Sequence, residues 1–227
     1  MKKNVGIILI LIVVLALLGL LGYGYYKKLT ENIQYPIATM EIENYGTIKL
    51  ELYPDIAPET VSNFIALANK GYYDGKVFHR VVKDFMIQGG SHKEDATAGP
   101  NISNIKDDVS EEEDREYSIF GEFVANGYEK NTLSHTEGVI SMARGDYSQM
   151  SPALAKEGYN SGDAQFFIMT KANSTLNGTY AAFGKVTEGL DVVHQIENVE
   201  LTEPDTENRR NCIRNTKRNA SNNKYKS

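Results

Sequence analysis

Five short apolar runs, Val77–Val82, Phe85–Ile87, Gly138–Met142, Gln165–Thr170 and Ala181–Val186, are bounded by Gly, Asn or Asp. All are shorter than the ten or more residues of an ordinary helix. Upstream, Ile48-Lys49-Leu50-Glu51-Leu52 alternates strictly, and Asn44-Tyr45-Gly46 supplies turn residues ahead of it, so Ile37 to Tyr53 reads as a hairpin. Many short strands create edges that invite wrong pairing, and closing the sheet on itself removes them. The pattern predicts a mainly β chain built as a closed antiparallel barrel. Two helices flank it. In Pro58–Lys70, Val61, Phe64, Ile65, Leu67 and Ala68 recur at helical spacing ahead of Gly71, and Val192–Ile196 forms the second.

A different physics governs the start. From Val5 to Gly22 run 18 residues without a polar side chain, about 27 Å of helix at 1.5 Å per residue, close to the apolar thickness of a bilayer. Lys2 and Lys3 precede the run; Tyr23, Tyr25, Tyr26, Lys27 and Lys28 follow it, an anchor's order of charge and aromatics. Residues 1–28 are therefore expected to form one N-terminal transmembrane helix that meets membrane lipid through residues 5–22, or else a signal peptide. The expected location is the cell membrane, single-pass, with the domain outside the cytoplasm. Residues 29–36 then form a linker, and 37–207 the domain.

Charge divides the chain further. Residues 29–207 hold 13 basic residues against all 30 acidic ones, a net of −17, whereas residues 208–227 carry seven Lys or Arg and no acid. A domain so negative lacks the clustered cations that phosphate contacts need, which argues against nucleic acid as a partner. The single Cys212 excludes a disulfide framework within the chain, and His79, His92, His135 and His194 have no metal-finger spacing, so no metal is expected. Asp107–Glu116 lacks the Gly-centred alternation of a calcium loop and reads as solvated surface. After Pro204 no apolar alternation occurs, so 208–227 is expected to be a disordered basic tail, either an appendage or an altered end, that leaves the first strand without a neighbour.

Chemistry concentrates in four stretches: Val77-Phe78-His79-Arg80-Val81-Val82-Lys83-Asp84-Phe85-Met86-Ile87-Gln88-Gly89-Gly90, Gly138-Val139-Ile140-Ser141-Met142-Ala143-Arg144, Ser161-Gly162-Asp163-Ala164-Gln165-Phe166-Phe167-Ile168, and Leu176 to Val186. In order and spacing they resemble the cyclophilins, barrel-shaped peptidyl-prolyl cis–trans isomerases, here in a membrane-anchored, bacterial-like form, over about Ile37 to Val199. The resemblance implies rotation of Xaa-Pro bonds in exported or cell-envelope proteins, without a cofactor. It makes Arg80 the catalytic guanidinium and Gln88 its hydrogen-bonding partner. Phe85, Met86, Phe167 and Leu176 become walls of a proline pocket. Ala143 and Arg144 supply backbone contacts, and Gln165 and Tyr180 complete the substrate-binding set. Tyr180 stands where many members have His, and Thr175 where cyclosporin-sensitive ones have Trp, so weak drug binding is expected. The competing reading is a proline-peptide binding or chaperone module on the same scaffold, which has no need of Arg80.

Overall fold

The alternation around Leu50 becomes strand β2 (Gly46–Leu52), antiparallel to β1 (Ile37–Ile42) across a turn in which Asn44 and Gly46 take positive φ. The computed structural model describes residues 12–23, 34–91, 99–147, 151–199 and 213–221. It divides into two units, Met1–Gln34 and Tyr35–Ser227. In the first, residues 12–23 form helix α1, with Leu15, Leu20 and Leu21 exposed. Among the described residues no helix is long and apolar enough to cross a membrane; residues 5–11 of the expected span lie outside them.

In the second unit, β3 (Val77–Val82), β4 (Met86–Gly89), β5 (Val139–Met142), β6 (Phe166–Met169) and β7 (Ala182–Glu188) join the first two strands in one curled antiparallel sheet. Its order is β1-β2-β7-β5-β6-β4-β3, and β8 (Ile213–Ser221) pairs with both outer members, β3 and β1, so that the barrel closes. Over residues 213–221 a strand therefore stands where a disordered tail was expected; 208–212 and 222–227 lie outside the described residues. Strand pairing is made by backbone N–H and C=O groups, which every residue except Pro supplies, so polar residues suffice for a ladder. Ala38 faces Ala220 and Met40 faces Arg218 in that register.

Inside the barrel, Met40, Ile48, Leu50, Phe78, Ile87, Phe166, Ile168 and Phe183 form one apolar core. Helix α2 (Pro58–Asn69) adds Val61, Phe64 and Leu67, and α3 (Leu190–Glu197) adds Val192, Val193 and Ile196. Phe64 meets the rings of Tyr73, Phe166 and Phe183 at 5.1, 5.7 and 5.3 Å. Burying such a ring contributes about 1.5–3 kcal/mol.

A second, smaller apolar cluster holds Met86, Val139, Phe167, Met169 and Ala182 on the opposite face of β4 to β7. With cover on both faces, β5 and β6 are buried at every position, which is why both read as unbroken apolar runs rather than as alternation. That outer cluster is the floor of the site.

Candidate functional site

One row of directly opposed residues crosses four strands: Arg80 on β3 faces Gln88 on β4, Gln88 faces Phe167 on β6, and Phe167 faces Ser141 on β5. Opposed residues of an antiparallel sheet lie on one face, so strand register alone brings Arg80, Gln88 and Phe167 together. A bulge makes the row possible. Phe78 pairs with Gly89 and Arg80 with Gln88, leaving His79 as the extra residue. In an unbroken strand Phe78 and Arg80 would share a face; the inserted residue turns Phe78 into the core and Arg80 out toward the groove.

Nine of the ten expected residues line one cavity of about 360 Å³: Arg80, Phe85, Met86, Gln88, Ala143, Arg144, Phe167, Leu176 and Tyr180, with Asp146 beside them. The tenth, Gln165, reaches it indirectly. Arg80 Nη1 donates to Gln88 Oε1 (3.3 Å) and touches Met86 Sδ (3.9 Å), while Gln88 Nε2 donates to Gln165 Oε1 (3.1 Å). This chain holds the guanidinium by its neighbours. Partial burial in the groove lowers the Arg80 pKa, and the Tyr180 hydroxyl opposes that shift; Arg stays charged near neutrality in any case.

Phe167 is the fixed element of the apolar wall. His135 stacks on it at 6.1 Å and 18°, and Tyr180 meets it edge-on at 5.7 Å and 84°. Two bonds in turn fix the imidazole, Nδ1 to Asn177 Oδ1 (3.2 Å) and Nε2 to Ser141 Oγ (3.1 Å), and burial lowers its pKa, favouring the neutral ring. Burial also raises the pKa of Tyr180, against the pull of the Arg144 charge. Thr175 is not in the cavity lining, and its hydroxyl bonds Asn173 Oδ1 at 2.7 Å.

Sequence reasoning missed His135, Asn177, Asp146 and Glu122. The Glu122 carboxylate is buried and accepts from Glu59 N, Thr60 N and Thr60 Oγ1 at the start of α2. Nothing local in the sequence marks any of the four; Glu122, for one, works across 62 positions on Thr60, and Asn177 across 42 on His135.

Comparison with known proteins places this geometry. The family model "Cyclophilin type peptidyl-prolyl cis-trans isomerase/CLD" matches residues 37–218 and so runs into β8. Peptidyl-prolyl cis-trans isomerase B of Bacillus subtilis is 36% identical over 157 residues, 69% of this chain and 87% of that protein. Peptidyl-prolyl cis-trans isomerase cyp18 of Streptomyces antibioticus is 36% identical over 172 residues, 72% and 85% of the two chains. In some relatives the matched region is one part of a larger protein: the chain spans 28% of peptidyl-prolyl cis-trans isomerase-like 2 of Rhizopus delemar, at 34% identity over 183 residues. Among solved structures, a cyclophilin type peptidyl-prolyl cis-trans isomerase of Cryptosporidium parvum aligns with TM-score 0.63 at 25% identity, over 84% of this chain and all of the other. Its crystal structure in the presence of the dipeptide Ala-Pro gives 0.62 at 26% identity, over 82% and 99%.

Proposed function

The chain belongs to the cyclophilin-type peptidyl-prolyl cis-trans isomerases, and on that premise we propose that the groove over β3 to β6 is where it turns Xaa-Pro bonds, with Arg80 as the catalytic residue. The observation that carries this reading is the single cross-strand row that sets a fixed guanidinium beside a buried apolar wall.

Rotation about a peptide C–N bond faces a barrier of roughly 18–20 kcal/mol because resonance must be broken, and the two Xaa-Pro ground states differ by only about 0.5–1 kcal/mol. An enzyme for this reaction has to bind the twisted state better than either planar one. In the twisted state the proline nitrogen regains its lone pair. A charged donor held in one direction stabilises that lone pair, and Arg80, restrained by Gln88 and Met86, is such a donor. Phe85, Met86, Phe167 and Leu176 form the apolar surface for the pyrrolidine ring, while the residue before it turns. No covalent step is required. An NMR titration with an Ala-Pro peptide tests the placement: shifts are expected at the Met86 methyl and the Phe167 and Tyr180 rings, and shifts confined to other surfaces would remove the groove from the function.

The first unit also suggests a location, which we propose from its sequence. Residues 5–22 anchor the chain in a membrane, with the domain outside acting on exported or cell-envelope proteins. What supports this is the 18-residue apolar run between lysine pairs and the exposed apolar side chains of α1. Protease added to spheroplasts should digest the domain of a membrane-bound chain. Recovery of a soluble form that begins near Tyr25 would identify a cleaved signal peptide, and full protection would reverse the orientation.

A further inference from the structure

The cavity holds a second guanidinium that the isomerisation itself does not use. Arg144 follows β5 and is half-buried, with Cζ 4.4 Å from the Tyr180 ring, 5.1 Å from Tyr159 and 5.5 Å from Phe123. Its Nε donates to Thr179 O (2.9 Å) and its Nη1 to Gly145 O (2.8 Å). Three aromatic faces and two carbonyls hold the head group in one place. A guanidinium has five N–H donors, and these two bonds leave the Nη2 group unused among the described residues. Among the same residues Arg144 forms no ion pair, although Asp146 lines the same cavity. The other space it borders, beside Thr60, Gly121 and Tyr159, is only about 10 Å³, room for no more than about one water, whereas the groove is about 360 Å³. A ligand of peptide size therefore meets Arg144 from the groove.

Tyr180 joins this position to the proline pocket, since its ring contacts both the Arg144 head group at 4.4 Å and the Phe167 ring at 5.7 Å. The path from Phe167 through Tyr180 to Arg144 is about 10 Å at most; an extended chain covers about 7 Å of it in two residues, and the side chain of an acid there supplies the remaining reach. Resting on the isomerase reading of the groove, we infer that Arg144 is a specificity-determining residue that receives the carboxylate of an Asp or Glu side chain within two residues of the substrate proline. The fixed planar fork matches a carboxylate, and little order remains to be imposed when the acid arrives. The domain's own negative charge opposes such substrates at long range, but salt screens that field beyond about 8 Å at physiological ionic strength, whereas the contact at Arg144 is short. The expected preference is about three- to tenfold, the span from an exposed pair to a partly desolvated one.

The test uses the full chain in detergent and two peptide sets, with Glu, Gln or Lys placed two residues before or two residues after the proline. Affinity is read by fluorescence anisotropy and turnover by NMR exchange. The expected result is a Glu over Lys ratio of three to ten in at least one set, reduced by 0.5 M NaCl, falling to within twofold of unity in Arg144→Gln and partly kept in Arg144→Lys. The ratio, not the absolute rate, is the readout, so a general loss of activity in a variant does not mimic it. A ratio near unity in the unmodified chain, or one that Arg144→Gln leaves intact, overturns the assignment. If Arg144→Gln does not fold, the unmodified chain's ratio and its salt dependence still decide. Turnover of every peptide without preference would sink the role of Arg144 and leave the isomerase reading standing; preferential binding without turnover would do the reverse.

Discussion

Replacing Glu122 by Gln exchanges one oxygen for nitrogen and changes almost no volume, yet the structure predicts a large loss of stability. Helix α2 has no side-chain cap of its own at Ala57. Glu122 takes that role from a distant loop: Oε1 accepts from Glu59 N at 3.0 Å, and Oε2 accepts from Thr60 N at 2.8 Å and from Thr60 Oγ1 at 2.7 Å. Glu122 is 2% exposed and Thr60 0%, so water cannot replace a lost acceptor. An amide offers one acceptor oxygen. Whichever way Gln is turned, its NH2 group faces a backbone N–H, and the negative charge opposite the positive end of the helix is gone. Hydrogen bonds to charged groups are worth about 1.5–3 kcal/mol, and an orphaned buried donor costs about 1–3 kcal/mol. With the Thr60 hydroxyl free to reverse, the net loss is about 2–4 kcal/mol. At about 2–4 °C per kcal/mol for a domain of this size, Tm falls by roughly 5–15 °C. Urea unfolding should show a lower midpoint at unchanged slope, while exposed Glu129→Gln stays within about 0.5 kcal/mol. A Glu122→Gln loss below about 0.5 kcal/mol would refute the cap.

Two histidines set opposite pH limits. Burial lowers the pKa of His135 from 6.5, so stability falls as pH drops below 6.5, where the unfolded chain takes a proton that the folded ring refuses; hydrogen bonds that the His194 ring donates to the Glu197 and Glu137 carboxylates raise its pKa, so its contribution is full below 6.5 and is lost as pH rises through the folded value. Urea midpoints across pH should flatten on the acid side in His135→Gln and on the alkaline side in His194→Gln, and an unchanged slope in either variant would remove that group from the account. Deleting residues 213–227 removes one of the two strand partners of β1 and of β3 and should lower Tm by more than about 5 °C, given about 0.5–1.5 kcal/mol net per hydrogen bond; an unaltered Tm would show that β8 adds nothing.

What the sequence discloses and what it hides differ for a physical reason. Alternation in Ile48-Lys49-Leu50-Glu51-Leu52 and helical spacing from Val61 to Ala68 are local consequences of burial on one side, and β2 and α2 are found there. The groove residues were legible through their resemblance to a family, and strand register explains why residues 80, 88 and 167 meet. The bulge at His79 was not legible, because an extra residue in a run of apolar neighbours leaves no gap in the pattern. Strand β8 was hidden for the opposite reason: Ile213 to Ser221 offers no apolar alternation, and its place is set by the backbone ladder to β1. Glu122 reaches Thr60 across 62 positions and His135 stacks on Phe167 of β6, so these roles exist only once the barrel has formed.

In the proposed function Arg80 lowers the barrier to Xaa-Pro rotation by donating to the twisted bond. NMR exchange spectroscopy on a neutral Xaa-Pro peptide reads this directly, with the full chain and its Arg80→Ala variant compared at matched, verified folding and with peptide affinity measured in parallel. Removal of one preorganised transition-state donor is expected to reduce kcat/KM by about 10²–10³ while peptide affinity changes by much less. Exchange within about threefold of the unmodified chain would contradict the account and leave the groove as a site that binds proline without turning it.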